Sequence, residues 1–251
     1  MNGIETITVA ERLHGYPGVA FGGYVAGLLA ARMAGVADTA ADAGAVRVDF
    51  RRPVPTGTPV RAVAGPDGGV ELLDGDGGLL ATATAAPAPA GEVPLPPSWA
   101  EASKAADAYR ADPPGGEAGC FGCGLDRTPA TGLRLHCGRV PGRELVATAW
   151  RPEPELLGPD GVLPPELAWG ALDCPGNAAG RLLDGGPAGA VTASLTGRLL
   201  RPVVRASDGL ISYAWLLGSE GRKCRVGTAL ATADGELCAH AEALWIRPRQ
   251  P

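Results

Sequence analysis

Across residues 14–35 the chain reads HGYPGVAFGGYVAGLLAARMAG, a glycine-rich turn that runs into a segment whose only charge is Arg32. A helix over this stretch has almost no polar face, so it must be buried, and the rest of the chain has to cover it. At its mouth Gly22 and Gly23 offer backbone N–H groups with no partner inside the helix, at the positive end of the helix dipole. Such a mouth suits a phosphate or a polarised carbonyl.

The flanking sequence has the pattern of sheet. Residues 4–9 alternate apolar and polar ahead of the helix. After a small-residue turn at 37–44 come strand-like runs at 46–53, 60–64, 70–73 and 79–85. The separators Pro55-Thr56-Gly57, Gly65-Pro66-Asp67-Gly68-Gly69 and Asp74-Gly75-Asp76-Gly77 carry turn chemistry, so these strands are expected to be antiparallel neighbours.

The pattern then returns. Arg52-Pro53-Val54 closes a run after the first helix, and Arg201-Pro202-Val203 closes one after a second candidate helix at 164–183. Both halves end on Asp-Gly-x-Leu-x-Ala, at 76–81 and at 234–239. Between them, residues 88–119 are rich in Pro, Ala and Gly and read as a linker with a short helix over 100–109. The expected division is a first unit at 1–87, that linker, and a second unit at 120–251 with strands at 133–140, 145–151, 191–200, 210–217, 224–231 and 236–246. A tandem α+β protein results, each unit an antiparallel sheet wrapped around one long buried helix.

A net charge of −5 without a run of Lys or Arg argues against a nucleic-acid partner. No apolar run reaches the about 18 residues of a membrane span, and the N-terminus lacks a basic-then-apolar leader, so a cytoplasmic protein is expected. The six cysteines, none before Cys120, read as reduced thiols that serve mainly as small core residues. Cys120 and Cys123 have metal-ligand spacing, with His136 and Cys137 downstream. Neighbours in a strand point to opposite faces, so His136 and Cys137 cannot both join them, and no metal site is expected.

Taken in order, these features resemble the double hotdog proteins of the acyl-CoA thioesterase and dehydratase superfamily. The likeness rests on Cys120-Phe121-Gly122-Cys123-Gly124 followed by Gly132-Leu133-Arg134-Leu135, and on His14-Gly15-Tyr16-Pro17-Gly18 with Phe21-Gly22-Gly23. It looks most like the phenylacetate-pathway type of thioesterase, similar to 4-hydroxybenzoyl-CoA thioesterase. The resemblance implies hydrolysis of an acyl-CoA or acyl carrier protein thioester, a step of lipid metabolism, at one composite site between the two units. Coenzyme A would belong to the substrate, with no other cofactor, and a homodimer of double hotdogs is compatible with it.

In such enzymes the N–H groups at a His-Gly-Gly helix start polarise the thioester carbonyl, and a carboxylate about seven residues further on activates water or attacks. Here the first helix keeps Gly22 and Gly23 but has Phe21 in place of the histidine and Ala30 at the acid position. The second opens on Pro164-Pro165-Glu166 and carries Asp173 at the acid position. An Asp in an apolar helical run is costly to bury unless paired, protonated or functional, which favours a functional Asp173 over the alternative of an Asp at a helix kink made by Pro175 and Gly176.

The resemblance thus assigns Asp173 as base or nucleophile, Gly22 and Gly23 as carbonyl-polarising donors, Asn177 as an orienting group and His14 as an assistant. Phe21, Tyr24, Trp169 and Glu166 are expected against the substrate, although Glu166 also reads as an ordinary helix-start acid. Arg52 and Arg201, with Arg51, Arg198 and Arg205 nearby, are expected near the nucleotide phosphates. Two alternatives remain. His14 to Gly18 fits a His-x-x-x-Gly pattern and Asp173 to Asn177 approaches Asp-x-x-x-Gln, the pair of a hydratase or dehydratase. A non-catalytic acyl-CoA or lipid binder is the other.

Overall fold

The computed structural model describes residues 4–34, 44–203 and 209–249. Strand β1 (Glu5–Thr8) leads into a small hairpin, β2 (His14–Tyr16) and β3 (Val19–Ala20), and then into helix α1 (Gly22–Ala34). Strands β4 (Ala45–Phe50), β5 (Pro59–Ala64), β6 (Val70–Leu73) and β7 (Leu79–Ala86) come next, close to the runs legible in the sequence. After helix α2 (Trp99–Ala111) come β8 (Gly138–Arg139), β9 (Leu145–Trp150), helices α3 (Pro165–Gly170) and α4 (Cys174–Leu182), and β10 (Val191–Leu199). Three long strands end the chain: β11 (Leu210–Glu220), β12 (Lys223–Thr232) and β13 (Leu237–Ile246).

Eleven strands make one antiparallel sheet in the order β1-β5-β6-β7-β4-β10-β13-β12-β11-β9-β8. From the central β4–β10 pair, where Leu195 faces Val48 and Gly197 faces Val46, the order runs outward alike on both sides. Each side takes its last strand first and reaches, at or near its edge, the strand that precedes its helix. The two Asp-Gly-x-Leu-x-Ala segments form the turns that open β7 and β13.

Helices α1, α3 and α4 share the main apolar core with the sheet. Helix α2 packs instead on β8 and β9, in a separate apolar cluster with Val140 and Tyr213. A capping box starts it: the Ser98 hydroxyl accepts from the Glu101 amide, and the Glu101 carboxylate accepts from the Ser98 amide at 2.8 Å. Among the described residues, no helix is long and apolar enough to cross a membrane.

Two expected elements differ. The single helix at 164–183 is two, because α3 ends in tight turns, Leu172 N–H to Trp169 O and Asp173 N–H to Gly170 O, before α4 restarts at Cys174. Pro175 explains the break: it lacks an N–H and its ring collides with the carbonyl one turn earlier, so it fits only in the first turn of a new helix. The strand expected at 133–140 shrinks to Gly138–Arg139. Upstream of it, the amides of Leu133 and Leu135 donate to Phe121 O and Gly122 O, pairing this stretch with the cysteine turn instead of the sheet. The turn expected at 37–44 lies, for residues 37–43, outside the described residues.

Candidate active site

The site begins with the contact between α1 and α3. Gly23 and Gly27, one turn apart, share a face of α1. A Cβ on Gly27 would stand 2.5 Å from Glu166 Cα, and one on Gly23 would stand 2.8 Å from Gly170 Cα. The two backbones therefore touch, and only glycine permits it. This close approach carries the α3–α4 break onto the start of α1, where Asp173 meets the exposed amides.

Asp173 is 2% exposed, and both its oxygens are held. Gly23 N–H donates to Oδ2 at 2.8 Å, and the Thr192 hydroxyl donates to Oδ1 at 2.7 Å. Burial pushes its carboxyl up to about 6, against the pull of the Thr192 hydroxyl and the Gly23 amide, which favour the charged form. The carboxylate occupies the place of an anion at a helix start, so the α1 dipole supports its charge. A group poised near 6 is largely ionised at neutral pH yet still basic enough to accept a proton from water.

Asp173 lines a cavity of about 520 Å³. Apolar walls come from Phe21, Phe50, Val54 and Ile246, and polar residues of the lining include Gly22, Asn177, Arg51, Arg52 and Arg181. The Asn177 side-chain oxygen is buried without a hydrogen-bond partner. Such an acceptor calls for a donor from a ligand or a water. The cavity also takes in Cys120, Cys123 and Cys174. Sharing with the thiols of Cys123 and Cys174 holds the Cys120 thiol well below the usual thiol range. The same sharing holds Cys123 and Cys174 well above the usual thiol range.

The other expected site residues divide. Asp173, Gly22, Asn177, Phe21 and Arg52 meet at the cavity. Gly23 does not line it, and its amide is bonded to Asp173, so it orients the acid in place of a substrate carbonyl. His14 stays outside: its Nδ1 contacts Glu11 O at 2.9 Å, and Arg127 lies 3.3 Å from both ring nitrogens. A register shift between His14 and Tyr16 separates the two, and Tyr16, not His14, reaches the cavity.

Tyr24 is half-buried against the core beside Glu166, and Trp169 is buried with its ring 3.0 Å from where a Cβ on Gly197 would lie. Glu166 serves the α1–α3 contact through its backbone. Arg201 pairs with Glu236 away from the cavity, and Arg205 lies outside the described residues.

Sequence reasoning missed Thr192 and Cys174. Thr192 carries no local signal, since a threonine early in a strand is ordinary. What selects it is the sheet register, which brings the start of β10 beside the helix break.

No protein-family model and no curated protein matches this chain. Solved structures do. The chain is similar to a tesB protein from Mycobacterium avium subs paratuberculosis at 17% identity and a TM-score of 0.63, over 99% of this chain and 94% of that one. A hot dog fold protein of unknown function from Alicyclobacillus acidocaldarius gives 14% identity and 0.62 over the same shares. The GphF dehydratase, in a variant made for crystallization, gives 17% and 0.60 over 98% and 93%. These likenesses show the fold: this is a hotdog-fold protein, built over nearly its whole length on the plan shared by those structures.

Proposed function

We propose that the protein is an acyl thioester hydrolase, with two hotdog units at 1–87 and 120–251 joined by the linker at 88–119 and one composite site between them. The observation that carries the reading is the Asp173 carboxylate, buried at the start of the other unit's helix and facing the apolar cavity. The mirrored strand order supports the tandem arrangement, and structures named as thioesterases, among them one from Thermobifida fusca at 18% identity, share the fold.

In this reading an acyl chain fills the apolar walls and its carbonyl oxygen approaches Gly22, whose amide belongs to the unpaired set at the α1 start. Asp173 takes a proton from a water that Asn177 helps to hold, and the water oxygen bonds to the carbonyl carbon. The intermediate then collapses, the carbon–sulfur bond breaks, and the leaving sulfur receives the proton from Asp173. A carboxylic acid and a free thiol result. Arg51 and Arg52 suit the phosphates of a coenzyme A carrier. The bonds that hold His14 to Glu11 and Arg127 count against the hydratase alternative.

Free-thiol release from a panel of acyl-CoA thioesters tests this. The wild-type protein is expected to turn over at least one chain class, and Asp173→Ala to abolish turnover. Acyl-CoA binding without hydrolysis by the wild type would overturn it in favour of a binding protein.

A further inference from the structure

Three cysteines of the cavity wall take no part in the hydrolysis proposed above. Cys120, Cys123 and Cys174 bring their sulfurs within 4.8 Å of one another, and among the described residues no other group of ligating side chains converges so closely. Cys120 and Cys174 stand 3.9 Å apart. That is nearly twice a disulfide bond of about 2.05 Å. It matches the edge, about 3.8 Å, of a tetrahedron of sulfurs bound to zinc at about 2.3 Å.

The Cys120-Phe121-Gly122-Cys123-Gly124 turn is built for such a cluster. Gly124 N–H closes the turn on Cys120 O at 2.8 Å. A Cβ on Gly124 would stand 2.3 Å from Ala118 O, and one on Gly122 would stand 2.5 Å from Cys174 Sγ. Both glycines are thus required, one to close the turn and one to admit the third sulfur. The distant partner is Cys174 in the first turn of α4, not His136, which is buried and stacked on Tyr109, nor Cys137, whose thiol faces Ser212 O.

The geometry points to a binding site for a thiophilic divalent ion of the zinc class, held by the thiolates of Cys120, Cys123 and Cys174 in the wall of the cavity. Three protein ligands leave a fourth position, as in zinc sites that keep one place open to water or a ligand. The assignment stands apart from the hydrolase reading, because its readouts are metal binding and thiol protection, not turnover.

Cobalt(II) added to the reduced full-length protein without oxygen is the probe. One ion per chain is expected, with a thiolate-to-cobalt charge-transfer band and tetrahedral visible bands that zinc bleaches. Cys120→Ser, Cys123→Ser and Cys174→Ser should each lose the band and weaken binding by at least ~100-fold, beyond what loss of an outer-shell partner costs. Cys238→Ser should bind as the wild type does. Alkylation with peptide mapping covers variants that fail to fold: in the wild type, zinc should slow modification of Cys120, Cys123 and Cys174 and leave Cys137, Cys224 and Cys238 unchanged. Absence of the band, full binding by Cys174→Ser, protection of other cysteines, or a Cys120–Cys174 disulfide without bound metal would each overturn the assignment.

Discussion

Replacing Asp173 by asparagine isolates the cost of burying its charge. The amide keeps the shape, can accept from Gly23 N–H through Oδ1 and can donate to Thr192 through Nδ2, so both bonds survive while the charge goes. In the folded protein burial lifts the carboxyl from an ordinary 3.8 to about 6. That gap is worth about 3 kcal/mol, at about 1.4 kcal/mol for each tenfold change in proton affinity. Between those values the folded state holds a proton that the unfolded chain has released, so wild-type stability falls as pH rises.

Below about pH 4 Asp173 is protonated in both states, and the wild-type and Asp173→Asn proteins should be similarly stable. The variant should gain steadily through the interval up to about pH 6 and hold an advantage of about 3 kcal/mol above it. Urea denaturation of both proteins across this range, analysed as the difference at each pH, cancels every other titrating group. A difference that does not change with pH, or one that grows toward acid, would refute the reasoning.

The same geometry dictates three further outcomes. Thr192→Val removes the Oδ1 donor, so it should cost about 2 kcal/mol by chemical denaturation at neutral pH and raise the Asp173 titration seen by carboxyl NMR. Gly27→Ala forces apart backbones that touch and should cost about 1–3 kcal/mol in the same assay, whereas Gly75→Ala, with open space around it, should stay within ~0.5 kcal/mol. Ser98→Ala breaks the capping box of α2 and should cost about 1 kcal/mol with no change in the Asp173 titration.

Much of this arrangement is written in local sequence. The Asp-Gly turns ahead of Leu79 and Leu237 and the alternation of the strands are short-range signals, and they appear where the residues place them. The 133–140 strand misled because Leu133, Leu135 and Cys137 alternate in the sequence with Arg134 and His136, as in a strand, while the backbone pairs with the cysteine turn and His136 is buried along with them. Burial pattern reports which side chains face the core; it does not report which backbone supplies the hydrogen bonds. The site was legible in Asp173 and Gly22, since an acid and paired glycines stand out against apolar surroundings. The Gly23–Asp173 bond was not, because it depends on how closely two helices approach, and that distance is set jointly by Gly23 and Gly27. Cys174 joins Cys120 across 54 residues, a span no local motif covers.

The central claim is that a buried carboxylate at residue 173 does the proton transfer. The direct measurement is kcat/KM for thioester hydrolysis against pH, in the wild type and in Asp173→Asn. A rising limb with its midpoint near 6 in the wild type, and loss of at least ~100-fold in a folded variant, is the predicted result. Equal rates in the two proteins, or a wild-type profile flat through that range, would contradict it.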